Sequence, residues 1–367
     1  MNRRDFLSAS GLAAVGLSSP ELAASPAPAV AAPRKRALMK ASADVAPVDA
    51  QLKAIARYGI KNIVSHPEIA DGRLYATVEE LKKMRDAAER NGMSVDILTP
   101  PNLASSHIDR EAHPGIMLAQ SPERDREIEA FQTMIKNCAA AGVPCIKYNM
   151  SILGVLRTGR TPGRGDSSLS TFKLAEARPN PPLTKAGRVN ADMYWERITY
   201  FLEHVVPVAN EFKVRIACHP NDSMTPPEGY QGVNAVLSTV DGLKRFVSIK
   251  ESPYHGLNFC QGTVSEMLQN PGKEIFDVIR YFGSRGKIFN VHFRNIRGNR
   301  QEFYETGPDE GDVSFVQAMK TYRDVGYAGN LQPDHVPQSP NDPGGAQYFT
   351  FCYGYIRALI QAVDELD

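Results

Sequence analysis

The chain has 367 residues and a formal charge of +1, from 42 basic and 41 acidic side chains, so it carries no basic excess for nucleic acid or acidic lipid. Its length suits one large α/β domain with inserted loops. Five cysteines, none in a CxxC pair, leave at least one thiol unpaired: Cys138, Cys145, Cys218 and Cys352 sit in apolar or helical contexts that read as core packing, which singles out Cys260.

In chain order, the first predicted element is a leader. Asn2-Arg3-Arg4-Asp5-Phe6-Leu7 precedes a short apolar run, Gly11–Leu17, and Ala29-Val30-Ala31 has the small residues of a cleavage site. This is the form of a twin-arginine export signal over residues 1–31, so the mature chain is expected to begin near Pro33 and to be periplasmic, with the export machinery as a partner. Such substrates cross already folded, so a metal could be loaded beforehand. The apolar run is too short for a membrane anchor. About 335 residues remain as a catalytic domain over 32–367, still at +1 because Arg3 and Arg4 are balanced by Asp5 and Glu21.

Strand and helix then alternate. A strand is expected at Ala37–Ala41, a helix over Val48–Tyr58 and a strand at Lys61–Ser65. The capping box Thr77-x-x-Glu80 opens a helix that ends near Gly92, followed by a strand at Ser94–Leu98. Ser121-Pro122 starts a helix that stops before Gly142, ahead of a strand at Pro144–Tyr148. A long helix near Ala191–Phe212 leads into Lys213–Cys218. Further strands end at Cys260, at His292 from Lys287, and at Gln332 from Gly329, and a last helix covers about 346–362. Eight strands alternating with helices predict a single-domain (β/α)8 TIM barrel. An open doubly wound sheet fits less well, because no GxGxxG follows a strand. The segments Thr99–Gln120, Ser151–Asn190 and Asn221–Leu237 all follow strands and fall on the catalytic face.

Four possible metal ligands stand at the ends of apolar runs: His219 in VRIACHPND, Cys260 in GLNFCQGT, His292 in KIFNVHFRN and Asp334 in NLQPDH. In a parallel barrel those tips converge on one mouth, where barrel enzymes place their chemistry. Each alone has a duller explanation, a structural histidine, a small buried thiol or a turn cap. The case rests on four hits from the fifth to eighth strands. Two imidazoles, a thiolate and a carboxylate suit zinc, manganese, iron or cobalt.

CHPND, NFCQGT, VHFRN with the following Phe303-Tyr304-Glu305, and GYAGNLQPDH together resemble the mannonate dehydratase family of xylose-isomerase-like barrels, most clearly over 213–335. The resemblance implies that His219, Cys260, His292 and Asp334 bind a divalent ion, usually manganese, that His335 transfers protons, and that water is lost from a sugar acid to give a 2-keto-3-deoxy acid. It also implies a tyrosine acid/base, for which Tyr348, Tyr353 and Tyr355 compete; Tyr353 is taken as the first choice.

The chemistry agrees. Eliminating water beside a carboxylate needs a proton removed from a weakly acidic carbon, an enediolate stabilised and a leaving hydroxide protonated. His335 can exchange a proton near neutral pH, and Arg294 can pair with a carboxylate in two-point geometry, unless it serves a salt bridge at the rim. Where family members show Arg-Trp in the first strand this chain has Ala37-Leu38-Met39-Lys40, and Leu153–Leu156 replaces an Asp-Trp pair after Tyr148-Asn149. A retained metal site with a rebuilt substrate pocket is the reading, with poor activity on mannonate itself. The alternatives are an exported sugar isomerase or epimerase, an elimination enzyme acting on an oxidised glycoside, and a non-catalytic sugar-binding barrel. A homo-oligomer is expected.

Overall fold

The computed structural model describes residues 35–179, 181–221 and 229–366. The expected leader at 2–31 lies outside the described residues. Eight parallel strands close into a barrel: β1 (Lys40–Asp44), β2 (Asn62–Ser65), β3 (Ser94–Leu98), β4 (Cys145–Asn149), then β7 (Arg215–His219), β8 (His255–Cys260), β9 (Ile288–His292) and β12 (Asn330–Gln332), which returns to β1. Between β4 and β7 lie β5 (Gly159–Pro162) and β6 (Ser168–Lys173). Between β9 and β12 lie β10 (Asn295–Asn299) and β11 (Glu302–Thr306). These four form a separate antiparallel sheet in the order β10-β11-β6-β5. The barrel of the sequence reading is observed; the second sheet was not anticipated.

The helices on the outer wall start where local chemistry dictates. α1 (Asp49–Ala56) is followed by α2 (Val78–Arg90), where Thr77 and Glu80 form the expected capping box. After the single turn α3 (Gly115–Leu118) come α4 (Glu123–Ala141), α5 (Ala191–Phe212), α6 (Val240–Ser248), α7 (Gln261–Glu266), α8 (Pro271–Gly283), α9 (Phe315–Asp324) and α10 (Ala346–Glu365). α4 stops at Gly142 in the left-handed conformation (φ 76°), which glycine adopts at low cost. All five cysteines are buried and none is disulfide-bonded.

Inside the barrel, Val64, Ile97, Cys145, Ala217 and Phe289 make an apolar cluster. Side chains in a strand alternate, so positions two residues further on share the inward face and rise toward the mouth. That rule carries β2 to His66, β3 to Thr99, β4 to Lys147 and Asn149, and β7 to His219. All five line the cavity at the mouth. The first strand begins three residues later than expected. The apolar residues Ala37 and Met39 precede it and pack in the core, with α10 against β1, so Asp44 rather than Ala41 forms the strand tip.

Candidate metal centre

Register brings the proposed ligands together. Cys260 and His292 are direct partners across β8 and β9, and Gln332 pairs with His292 across β12 and β9, which sets Asp334 just beyond. Ligand atoms of His219, Cys260 and His292 all lie within 4.8 Å of one another. Asp334 closes the group: Oδ2 is 3.5 Å from Cys260 Sγ, and Oδ1 is 3.4 Å from His292 Nδ1. Ligand bonds of about 2.0–2.3 Å at ordinary coordination angles separate the donor atoms by roughly 3–3.6 Å, so the two gaps from Asp334 are those of atoms sharing one ion.

The hydrogen bonds fit an ion as well. His219 Nδ1 lies 2.5 Å from the carbonyl of Pro220, which can only accept, so Nδ1 donates and the lone pair of the neutral ring is on Nε2. His292 is buried, and its Nδ1 has no hydrogen-bond partner among the described residues although it faces Asp334. Burial, reinforced by His219, holds this ring well below the usual histidine range, which keeps it neutral. Burial would raise the Asp334 carboxyl, but His335, His292 and Arg294 outweigh it and keep it ionised. Cys260 Sγ accepts from the backbone of Thr263 (3.4 Å) and from Arg294 Nη2 (3.6 Å), donors that suit a metal-bound thiolate. The residues present therefore fit a divalent cation. Below them, Asn290 Nδ2 bonds Asn258 Oδ1 (2.8 Å) and Gln332 Oε1 (3.2 Å), and Asn258 Nδ2 meets His292 Nε2 at 3.3 Å.

Arg294 does not face the cavity. Its side chain is buried, with Nη1 on Glu266 (2.8 Å) and Glu305 (2.7 Å), Nη2 on Thr263 (3.0 Å), and Nε 3.1 Å from Asp334. The expected contact with a substrate carboxylate is thus corrected: its donors are engaged behind the ligand set, where it braces Cys260 and Asp334. Gly262 is required for this, since a Cβ there would come within 2.5 Å of Arg294 Nε. Arg157 also reaches Glu305 and lies 3.3 Å from Glu266, making a buried set of two arginines and two glutamates.

His335 stands at the cavity wall with Nδ1 2.8 Å from Glu305 Oε1. Asp334, and then Glu305, raise this imidazole to about 9 against its own burial. Glu305 is itself drawn down to about 2 despite burial, first by Arg294 and then by His335, so it stays an anion. Sequence reasoning quoted Glu305 within a motif without giving it a role. The signal was β11, which carries Glu305 in from the antiparallel sheet.

The tyrosine expectation is also corrected. Tyr353 is on the buried stripe of α10, stacked toward Tyr58 and Phe349 at 6.5 Å, and does not line the cavity. Tyr348 packs against Phe351 and Tyr355 against Phe315 and Phe351, so neither reaches the cavity. The polar residues that do, and that the sequence reading missed, include Asp44, His66, Lys147, Asn149 and Asn258. The cavity holds about 600 Å³.

A closed parallel barrel with imidazole, thiolate and carboxylate donors at its strand ends defines a barrel enzyme with a candidate divalent-metal centre. Residues 46–178 and 173–367 match the model of the D-mannonate dehydratase family, and the chain belongs to that family. The mannonate dehydratase of Thermotoga petrophila is 29% identical over 328 residues, covering 79% of this chain and 87% of its own. That of Thermotoga neapolitana is 30% identical over 295 residues, covering 70% and 77%. The crystal structure of the Streptococcus suis serotype 2 mannonate dehydratase superposes with a TM-score of 0.73 at 22% identity, over 89% of this chain and 95% of that one. The family fixes the class of chemistry: the protein is a metal-dependent hydro-lyase of carbohydrate metabolism.

Proposed function

We propose that the chain removes water from a sugar acid to give a 2-keto-3-deoxy acid, with D-mannonate as the reference compound and manganese as the ion. The observation that carries the reading is the convergence of His219, Cys260 and His292 with Asp334, beside a histidine that is hydrogen-bonded to a fixed carboxylate. When bound, a divalent ion supplies Lewis-acid stabilisation of negative charge on the substrate oxygens. His219, Cys260, His292 and Asp334 would hold it.

The chain's own residues do the rest. The carbon beside the carboxylate loses a proton, the neighbouring hydroxyl leaves with a proton as water, and the enol product gains a proton at carbon to become the keto acid. His335 is the proton carrier at this step. Glu305 accepts from its Nδ1, which leaves Nε2 to exchange the proton, and Arg294 and Arg157 keep Glu305 charged and in place. Were Asp334 to hold a divalent ion, part of the attraction that raises His335 would be offset and that of Glu305 would remain.

The test is metal analysis and product identification in deuterated water. The chain is expected to hold one ion per protomer, and Cys260→Ala and His292→Ala to lose it. A keto-deoxy product lighter than its substrate by one water supports elimination. A sugar of unchanged mass apart from deuterium would instead make the chain an isomerase or epimerase. A kcat/KM for mannonate on the order of 10⁴ M⁻¹s⁻¹ or more would make mannonate the substrate. A much lower value, with turnover of another sugar acid, would support the rebuilt pocket. The ordered signal over Asn2–Ala31 further supports periplasmic export, and replacing Arg3 and Arg4 by Lys is expected to hold the protein in the cytoplasm.

A further inference from the structure

The mouth of the barrel has two unlike halves. β7, β8, β9 and β12 present the ligand set. β1, β2, β3 and β4 present Asp44, His66, Thr99, Lys147 and Asn149 to the same cavity. Among the described residues of the ligand half, no lysine or arginine is left to take up the negative charge that a sugar acid brings, and His335 serves there as the proton carrier. The thiolate and carboxylate of the ligand set already offset a divalent ion. Arg157 and Arg294 are matched by Glu266 and Glu305 behind it.

Among the described residues that line the cavity, Lys147 is the one lysine or arginine. It projects from β4, next to β7, two residues before Asn149, the register partner of His219. Its ammonium lies 2.5 Å from Oδ2 of Asp44 at the tip of β1. The two partners are unequally placed, with Lys147 14% exposed and Asp44 44% exposed. Asp44 can therefore turn into solvent at low cost. Lys147 is held in the cavity wall and needs an anion in its place.

We propose that Lys147 binds the substrate's carboxylate and that Asp44 is its resting counter-ion, displaced when a sugar acid enters. The chain's own carboxylate already shows that this corner accepts one in direct contact with the ammonium. The sugar backbone then runs from β4 toward the ligand half, with its hydroxyls over His219, His292 and His335. The pair makes the site select for acids over neutral sugars of the same length. The assignment rests on the sugar-acid reading above.

The test compares wild type, Lys147→Met, Lys147→Arg and Asp44→Asn, each loaded with manganese, on D-mannonate or on whichever sugar acid the wild type dehydrates, with mannitol as the neutral probe. Lys147→Met is expected to raise KM for the acid by tenfold or more, with metal content unchanged and mannitol inhibition unaltered. Lys147→Arg should recover part of that loss. Asp44→Asn should lower KM for the acid, because a competing carboxylate is gone. An unchanged KM in Lys147→Met, or equal weakening of acid and mannitol, overturns the anchor while leaving the elimination reading intact. A rise in KM on Asp44→Asn overturns the displacement. Failure of the sugar-acid reading has a separate signature, since wild type would then dehydrate no acid at all.

Discussion

At the scale of single residues, the site separates groups that touch substrate from groups that hold them. In the proposed reading His335 belongs to the first kind. Its neighbour Asp334 faces Cys260 and His292, while its own Nδ1 is on Glu305. His335→Asn is expected to keep the metal and lose roughly 10²–10⁴-fold in kcat, the usual span of general acid–base catalysis; metal analysis beside kinetics checks it, and a metal-free variant would place His335 among the ligands. Arg294 belongs to the second kind. Arg294→Met leaves Glu266, Glu305 and Asp334 without their shared cation in a buried place, at a cost on the order of 3–5 kcal/mol. The expected result in denaturant melts is a large loss of stability together with weakened metal binding. A stable, metal-replete variant with only a raised KM would restore the substrate-contact role. The role of Arg294 was misread because an arginine after a strand end looks the same in sequence whether it faces the cavity or the wall behind it.

At the scale of elements, β8 shows how burial writes a pH dependence into the fold. His255 is fully buried between this strand and α6, where Nε2 donates to the carbonyl of Phe246 at 3.0 Å and the ring meets Phe246 edge-on at 4.8 Å. Burial pushes it down to about 4 from an ordinary 6.5. Between those values the unfolded chain binds a proton that the folded chain does not. The stabilisation is therefore complete above about pH 6.5 and is lost as pH falls toward 4, at up to about 1.4 kcal/mol per pH unit. Urea melts at pH 7, 6 and 5 should show a shallower decline for His255→Leu than for wild type, whatever the offset between them. Parallel declines would mean that His255 is protonated in the fold. The elements themselves were legible where periodicity and caps agreed, as in α2 with Thr77 and Glu80. They were displaced at β1, where the half-buried Ala37 and the buried Met39 look like the strand they merely precede, and this hid Asp44.

At the scale of the whole molecule, the candidate ion ties four strands of the barrel together through His219, Cys260, His292 and Asp334. Binding confined to the folded state adds RT ln(1 + [L]/Kd), about 2.7 kcal/mol at a hundredfold excess over Kd. Manganese is expected to raise the melting temperature by several degrees and chelation to reverse it, with no shift in Cys260→Ala. A shift of equal size in that variant would place the ion elsewhere. The antiparallel sheet β10-β11-β6-β5 adds to the same mouth: its own Phe172, Ile296 and Phe303 pack together, and it delivers Glu305 to His335.

The barrel, and the placing of His219, Cys260, His292 and Asp334 at its mouth, could be read from the sequence alone, because both depend on local order. Apolar runs ending in His219, Cys260, His292 and Asp334 specify strands with a donor at each tip, and parallel closure leaves those tips only one mouth to share. What the tertiary structure decided is which side chains face one another across that mouth. Lys147 and Asp44 lie 103 residues apart, and Arg157 meets Glu305 across 148. Tyr353 is turned away because its helix buries that stripe against the barrel. Such pairings follow from strand register and from the loops that fold over the barrel end, and no local pattern of residues encodes them.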